Sequence, residues 1–200
     1  MEQQDYAGKY LHRYEGLRYS FREWISKYTV DPIRRIVVEP DAEQFADVSF
    51  YQAVMNWSTY QANARAGIIR LGQNVWVDTE FEYNYAQARQ QGVALGGYWF
   101  YDDRVSPEQQ ANVIIQLMHN KYFELELFID WEVGYGGNYP GLKNAVLLMQ
   151  ILDGAGLHVK ASGLYTGYYY FTEHSNASVN VAEYAYLKDK PLWLAWYAAA

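Results

Sequence analysis

The chain contains no cysteine, which excludes a disulfide framework and a thiolate metal site. Its four histidines, His12, His119, His158 and His174, are far apart and show no metal-ligand spacing, so we expect no metal and no cofactor. No apolar run approaches the roughly 18 residues that span a bilayer, and we therefore expect no membrane span. The first twenty residues are polar and charged, so we also expect no signal peptide.

Basic residues are few as well, and the formal net charge is -7. Proteins that bind nucleic acid use lysine and arginine to displace phosphate counterions, so we expect no nucleic-acid partner. The sequence also lacks the GxGxxG and Walker glycine loops of nucleotide-binding α/β domains. These absences leave a globular protein without an evident polyanion, nucleotide or metal ligand.

Aromatic residues, in contrast, are abundant: they make up 18% of the chain, with 21 Tyr and 7 Trp. These side chains bury a large ring while keeping a polar group, so they suit both a core and the walls of a sugar-binding groove. We expect packing to use most of them and a groove to use a smaller share. A chain of 200 residues is long enough for one main domain with a sizeable core.

Residues 1–42 differ from the rest and are predicted to form an N-terminal helical extension or attachment segment. Apolar side chains recur there at intervals of three and four residues, which is the period of one helix face. They are Tyr6, Tyr10, Tyr14, Leu17, Phe21, Trp24 and Tyr28. We predict an amphipathic helix over about residues 5–28, which packs either on its own domain or on a partner chain such as a virion or tail protein.

Residues 43–200 alternate between strand and helix patterns. The predicted strands lie in FADVSFYQ, GIIRLG, VALGGYWFYDD, ELELFIDWE, HVKASGLYTG and PLWLAWY. The predicted helices are STYQANARAG, closed by Gly67; DTEFEYNYAQARQQG, with Thr79 and Glu82 in capping-box spacing; SPEQQANVIIQLMHNKY, with Ser106 as N-cap; and LKNAVLLMQILDGAG. An irregular aromatic segment precedes the final strand. This alternation predicts an α/β fold with a parallel sheet, and the missing nucleotide-binding loops favour a β/α barrel over an open sheet.

In a β/α barrel the chemistry lies at the carboxyl ends of the strands. The polar residues at or near those ends are Asp47, Arg70, Tyr98, Asp130, Glu132 and Tyr165. Arg70 has a structural alternative, a buried ion pair with a neighbouring carboxylate. Tyr98 and Tyr165 could be hydrogen-bonding walls of a groove or part of the core.

Asp130 and Glu132 occupy alternate positions of the strand FIDWE, so both project to one side, with Cα atoms about 6.5 Å apart. Two carboxylates placed together cannot both ionise cheaply, so one should keep its proton near neutral pH. That pairing suits glycoside hydrolysis, although a solvated strand end gives the same pattern. Trp131, between them, should point to the opposite side as a packing residue.

Six segments in order resemble the glycoside hydrolase family 25 muramidases, lysozymes of phages and bacteria with an irregular TIM-like β/α barrel. They are DVSFYQ, NWSTYQANARAGIIRLGQ, the DTEFEYNYAQARQQG pattern leading into GGYWF, FIDWE, GLYTGYYYF and PLWLAWY. The resemblance implies cleavage of the β-1,4 bond between N-acetylmuramic acid and N-acetylglucosamine in peptidoglycan. It implies Glu132 as general acid, Asp130 as its partner carboxylate and Asp47 as the acidic residue after the first strand.

We also expect Tyr98, Tyr165, Arg70 and Trp196 to bind the substrate. The family continues past the LWxAxY strand into a last strand that carries another Asp, whereas this sequence stops at WYAAA. We therefore expect a barrel that lacks its last strand or closes differently. Without a signal peptide, the protein is expected in the host cytoplasm or in a phage virion, acting on the bacterial cell wall.

The spacing of Asp130 and Glu132 leaves retention and inversion of configuration open, because Cα spacing does not set the separation of the carboxyl groups. An alternative function is a virion structural or cell-wall-binding module with a degenerate barrel. A chitinase-like barrel is disfavoured, since only the last two acidic residues of its longer D-x-x-D-x-D-x-E pattern are present.

Overall fold

A computed structural model describes residues 19–20 and 45–195 of the chain. It shows an α/β fold built on one curled sheet. The strands are β1 Tyr19–Ser20, β2 Ala46–Val48, β3 Ala66–Gln73, β4 Trp76–Val77, β5 Ala94–Phe100, β6 Leu127–Asp130, β7 Ser162–Gly167 and β8 Pro191–Ala195. The helices are α1 Trp57–Gln61, α2 Phe81–Gln90, α3 Pro107–Met118, α4 Leu142–Gly154, α5 Tyr168–His174 and α6 Val181–Leu187, with 3-10 turns at Phe50–Gln52 and Tyr135–Gly137.

The strand order is β1-β8-β7-β6-β5-β3-β2, with β4 paired to β3 beside this path. Neighbouring strands from β2 to β8 run parallel along that path, whereas β1 and β4 pair antiparallel to β8 and β3. This confirms the predicted α/β fold with a parallel sheet. The sheet curls into a half-barrel, and the ring of Phe45, just before β2, lies 6.0 Å from the ring of Trp193 in β8.

Among the described residues, the two end strands of this order are not paired with each other. The predicted loss of a last strand concerns the chain after Ala195, which lies outside the described part. Most of the predicted helix over residues 5–28 lies outside it too. The exception is Tyr19–Ser20, which forms the short strand β1.

Strand residues alternate between the two faces of the sheet, and the helices cover the outer face. The outer side chains pack with the helices in one hydrophobic core that includes Ile69, Leu95, Trp99 and Ile129. The inner face is tightly packed at the lower end of the half-barrel. A Cβ on Gly96 would lie 2.8 Å from the backbone oxygen of Glu126 and 2.5 Å from Ile68 Cδ1, so only glycine fits that position.

Helix α3 begins as predicted, because the Ser106 side chain accepts a hydrogen bond from Gln109 N and the reciprocal bond is present. The capping box predicted at Thr79 is wrong: α2 has Glu80 as its N-cap, without a side-chain cap bond. Asp78 occupies the entry to the helix instead, and its carboxylate accepts hydrogen bonds from the backbone N–H groups of Phe50 and Glu80.

The helix predicted over STYQANARAG is present as α1, but its predicted end at Gly67 is wrong, since α1 ends at Gln61 and Gly67 lies inside β3. There Gly67 pairs with Ala46 of β2 and Leu95 of β5. The aromatic segment described from sequence as irregular forms α5 and α6. None of the helices in the described part of the chain is long and apolar enough to cross a membrane.

Candidate active site

A cavity of about 450 Å³ opens at the carboxyl ends of the parallel strands. It is lined by Asp47, Tyr51, Gln52, Arg70, Gln73, Tyr98, Phe100, Asp130, Glu132, Gly134, Tyr135, Tyr165 and Trp193. All six polar residues predicted from the strand ends therefore line one cavity. Trp196, the seventh predicted site residue, lies outside the described residues.

Strand pairing brings these side chains together from distant parts of the sequence. Arg70 of β3 is the pairing neighbour of Tyr98 in β5. Asp130 of β6 pairs with Tyr165 of β7, which in turn pairs with Trp193 of β8. Side chains at paired positions share a face, so the parallel register assembles the lining of the cavity.

Asp130 is the most deeply placed carboxylate of the cavity, with 6% of its surface exposed. Its Oδ1 atom is buried without a hydrogen-bond partner. Burial raises the pKa of Asp130 well above its ordinary value, and the charges of Glu132 and Asp47 raise it further, whereas Arg70 opposes the rise. Asp130 is therefore costly to ionise at this position.

Glu132 is half-buried and lies two residues beyond the end of β6. The predicted strand thus ends earlier than expected, although Trp131 N still donates to Tyr165 O at 2.9 Å and continues the strand pairing by one residue. Burial raises the pKa of Glu132, and the charge of Asp47 raises it further. Both carboxyl groups of the pair therefore hold protons more tightly than free side chains do.

Trp131 points away from the cavity, as predicted, and is fully buried among the helices. Its Nε1 donates to Pro140 O at 2.7 Å. Its ring packs edge-on against Tyr170 and Phe171 of α5, at centroid distances of 4.8 and 6.1 Å. This anchor on the outer side holds the backbone that carries Asp130 and Glu132.

Arg70 is a buried cation at the cavity wall, with 5% of its surface exposed. Its guanidinium donates to Gln73 Oε1 at 2.7 Å. It also lies over three aromatic rings, those of Phe50, Trp76 and Phe100, at 5.6, 5.0 and 5.9 Å. Gln73 and an aromatic enclosure therefore hold this cation at the cavity, where its charge opposes the rise in the pKa of Asp130.

The two predicted tyrosines take different surroundings. Burial raises the pKa of Tyr98 far above its ordinary value, and the charge of Asp47 adds to the rise, while a hydrogen bond with Ser49 opposes it. Tyr98 is thus a neutral phenol in the cavity wall. Tyr165 packs edge-on against Trp193, with ring centroids 5.0 Å apart.

Several lining residues were not predicted from sequence, among them Gln73, Phe100, Tyr135 and Trp193. Trp193 lies in the predicted strand PLWLAWY, but strand alternation alone does not say which set of residues faces inward. Tyr135 lies in a glycine-rich loop without a periodic pattern. The described residues contain no group of three or more His, Asp or Glu side chains that could hold a metal ion.

Comparison with known proteins places this geometry in a family. The sequence model described as "Glycosyl hydrolases family 25" matches residues 46–200. The structure is similar to that of a family 25 glycosyl hydrolase from Bacillus anthracis, with 20% identity, a TM-score of 0.59, and coverage of 68% of this chain and 66% of that chain. It is similar to a muramidase from Trichobolus zukalii, with 24% identity, a TM-score of 0.61 and 77% of each chain covered.

A further similar structure is the catalytic domain of the endolysin ply40 from bacteriophage P40 of Listeria monocytogenes. The identity is 19% and the TM-score 0.57, over 65% of this chain and 66% of that chain. At these identities the likeness shows a shared fold. The chain spans 66 to 77% of the length of these three structures. No curated protein sequence matches it.

Proposed function

Because the chain belongs to glycosyl hydrolase family 25 and is therefore a glycoside hydrolase, we propose that it hydrolyses peptidoglycan. The bond cleaved is the β-1,4 linkage between N-acetylmuramic acid and N-acetylglucosamine. The observation that carries this proposal is a cavity at the strand ends that holds Asp47, Asp130 and Glu132, two of them with a raised pKa. The similar muramidase and phage endolysin structures support the choice of substrate.

Glu132 is the general acid of the proposed mechanism. It is the more exposed member of the pair and lines the cavity beyond the strand end, where a glycosidic oxygen can reach it. Its raised pKa keeps the carboxyl group protonated at a higher pH than a free glutamic acid, so it can donate that proton to the leaving oxygen. Asp47 assists, because its negative charge favours the protonated form.

Asp130 is the assisting carboxylate. Burial and a charged Glu132 raise its pKa, but the contribution of Glu132 disappears while Glu132 holds its own proton, and Arg70 opposes the rise that remains. The two carboxyl groups can therefore share one proton, with Glu132 protonated and Asp130 charged. A charged Asp130 beside the reacting sugar would stabilise the positive charge that develops at the anomeric carbon or orient the group that attacks it. The pair thus divides the two roles that glycoside hydrolysis requires.

Tyr98, Tyr165 and Arg70 are the proposed substrate-binding residues of the described part of the chain. Tyr98 offers a neutral hydroxyl, Tyr165 offers a ring held by Trp193, and Arg70 offers a cation. These groups suit a sugar with hydroxyl, amide and carboxyl substituents. Trp196 as a further binding residue and residues 1–42 as an attachment segment for a virion or tail protein stay predictions, as does action from the host cytoplasm or a virion.

Glu132→Gln tests the assignment. The substitution keeps the shape of the side chain but removes the transferable proton, so we expect release of reducing sugar from purified peptidoglycan to fall by a factor of about 10²–10⁴. Identification of the new reducing end as muramic acid would separate a muramidase from a glucosaminidase.

The matched control is Glu108→Gln, which alters an exposed glutamate of α3 outside the cavity and should leave the rate unchanged. Both variants should keep the midpoint of thermal unfolding. Full activity in Glu132→Gln would contradict its role as the acid. Wall binding by the wild-type protein without any reducing ends would favour the alternative, a binding or structural module.

A further inference from the structure

We propose that Tyr135, backed by the guanidinium of Arg104, forms a preorganised platform for one sugar ring of the glycan strand at the rim of the cavity. This inference rests on the proposed function and concerns how the same site selects a polymer. Peptidoglycan strands are long, so sugars on either side of the cleaved bond must leave the cavity across its rim. A residue that holds one of them adds affinity and specificity without taking part in the chemistry.

Tyr135 lies at the rim and is open to a ligand. It lines the cavity, yet 65% of its surface is exposed. A tyrosine ring offers a large, stiff, amphipathic surface at a low cost in side-chain entropy, which suits the mixed polar and apolar face of a sugar. An exposed ring at a cavity mouth needs support, however, if it is to bind in one orientation.

The loop that carries Tyr135 is closed by its own hydrogen bonds. Gly134 N donates to Asn138 O at 2.9 Å, and Gly137 N donates to Gly134 O at 3.1 Å. Gly136 and Gly137 adopt φ angles of 75° and 80°, which side chains disfavour. The Asn138 amide also donates to the Asp103 carboxylate. The loop is therefore tied to the turn that follows β5.

The same turn supplies the support for the ring. The Arg104 guanidinium carbon lies 3.9 Å from the centroid of the Tyr135 ring, which is close cation–π contact. Arg104 is in turn paired with Asp102, which is almost fully buried. The pairing with Arg104 holds the pKa of Asp102 well below its usual range, so this carboxylate remains charged.

Asp102 also connects the platform to the cavity wall. Gln73 Nε2 donates to Asp102 Oδ2 at 3.2 Å, and Gln73 Oε1 accepts from Arg70. The chain of contacts runs from Arg70 inside the cavity to Tyr135 at its rim. Because Arg104 covers one face of the ring, a sugar can bind to the opposite face. Arg104 already restricts the orientation of the ring, so the Tyr135 side chain loses less conformational entropy when the ligand binds.

Kinetics of Tyr135→Ala on soluble peptidoglycan fragments test the platform. Because Tyr135 would bind the ground state and the transition state equally, we expect KM to rise about tenfold with kcat nearly unchanged. Tyr135→Phe keeps the ring and should keep the wild-type KM. Tyr139→Ala is the matched control, since this tyrosine of the same loop is 61% exposed but does not line the cavity.

Arg104→Met removes the charge behind the ring and should raise KM by a smaller factor of about three. Once Tyr135 is alanine, the Arg104 substitution should add little, because the two residues act as a unit. An unchanged KM in Tyr135→Ala, or an equal rise in Tyr139→Ala, would overturn the platform.

Binding separates this inference from the proposed activity. Titration calorimetry of Glu132→Gln with the same fragments should show a dissociation constant that rises about tenfold when Tyr135→Ala is added. If the wild-type protein releases no reducing ends but this difference remains, the platform stands and the proposed hydrolysis fails. If hydrolysis is normal and the difference is absent, the platform fails alone.

Discussion

The two faces of the sheet carry opposite chemistry, and three successive residues of β5 display the contrast. Trp99 faces the helices, is fully buried and donates its Nε1 hydrogen to Gln110 Oε1 at 2.9 Å. Tyr98 and Phe100, on either side, line the cavity. At Trp99 the outer face is thus apolar and its indole nitrogen is paired, whereas the inner face gathers charged groups, and the buried Oδ1 of Asp130 has no hydrogen-bond partner.

Side chains that stabilise the fold and side chains of the candidate site therefore lie on opposite faces of the same sheet. The outer face supplies the buried apolar area that drives folding. The inner face costs stability, because Asp130 is buried with an unpaired carboxylate oxygen and a raised pKa. A costly arrangement of this kind is expected where a protein performs chemistry, since the same burial adjusts the acid to its task.

The largest effect on the outer face should come from Trp99→Ala. The change leaves a cavity in the core and removes one hydrogen-bond donor to Gln110, so the free energy of unfolding should fall by about 3–5 kcal/mol in urea denaturation. Trp99→Phe, which loses only the hydrogen bond and part of the ring, should cost about 1–2 kcal/mol. If Trp99→Ala were as stable as the wild type, the claim that the outer face stabilises the fold would be contradicted.

Asp130→Asn should give the reverse outcome on the inner face. The proposed role of Asp130 predicts that hydrolysis falls about 10²-fold, because an amide cannot carry the negative charge that assists the reaction. The free energy of unfolding should not fall in this variant. Because folding raises the pKa of Asp130, the native state binds this proton more tightly than the unfolded chain, so its contribution to stability declines as the pH rises above the ordinary Asp value of about 4.

Asp130→Asn should therefore be at least as stable as wild type at pH 7, and the advantage should vanish near about pH 3, as measured by denaturation at both pH values.

Asp153→Asn is the control on the other side of the sheet. Burial alone would raise the pKa of Asp153, but hydrogen bonds from Lys190, Ser162 and Tyr186 hold it below its ordinary value. That variant should lose about 1 kcal/mol at pH 7. Equal losses in both variants would contradict the comparison.

The smallest effect should come from Asp47→Asn, as a shift in pH dependence. The charge of Asp47 raises the pKa of Glu132, so its removal lowers that pKa and the acid loses its proton at a lower pH. The alkaline limb of the kcat/KM profile should therefore move to lower pH. Glu108→Gln, far from the cavity, should leave the profile in place. If the alkaline limb of the profile moved to higher pH in Asp47→Asn, this electrostatic role of Asp47 would be contradicted.

Much of the fold was predictable because it depends on local signals. The cap at Ser106 was correct, since its two hydrogen bonds involve residues three apart. The outward direction of Trp131 was correct, because strand alternation sets it relative to Asp130. The cap at Thr79 and the stop at Gly67 were wrong because tertiary contacts decided both: Asp78 reaches the backbone at Phe50, and Gly67 pairs with strands β2 and β5.

The candidate site divides in the same way. Asp47, Arg70, Tyr98, Asp130, Glu132 and Tyr165 could be named because they stand at predicted strand ends, and all of them line the cavity. Gln73 and Tyr135 could not be named. Gln73 matters through a contact with Asp102, 29 residues away, and Tyr135 lies in a loop whose position depends on Arg104 and Asn138.

The sequence by itself determined the alternation of strands and helices, which side chains of a strand share a face, and the set of polar residues at the strand ends. These follow from backbone geometry and from the two periods of local structure. Only the tertiary structure decided that Arg70 is enclosed by aromatic rings, that Asp130 is buried, and that Tyr135 is backed by Arg104. Burial sets the pKa of Asp130, and contacts between distant segments hold the ring of Tyr135. Burial and long-range contacts arise only when the chain folds into the curled sheet.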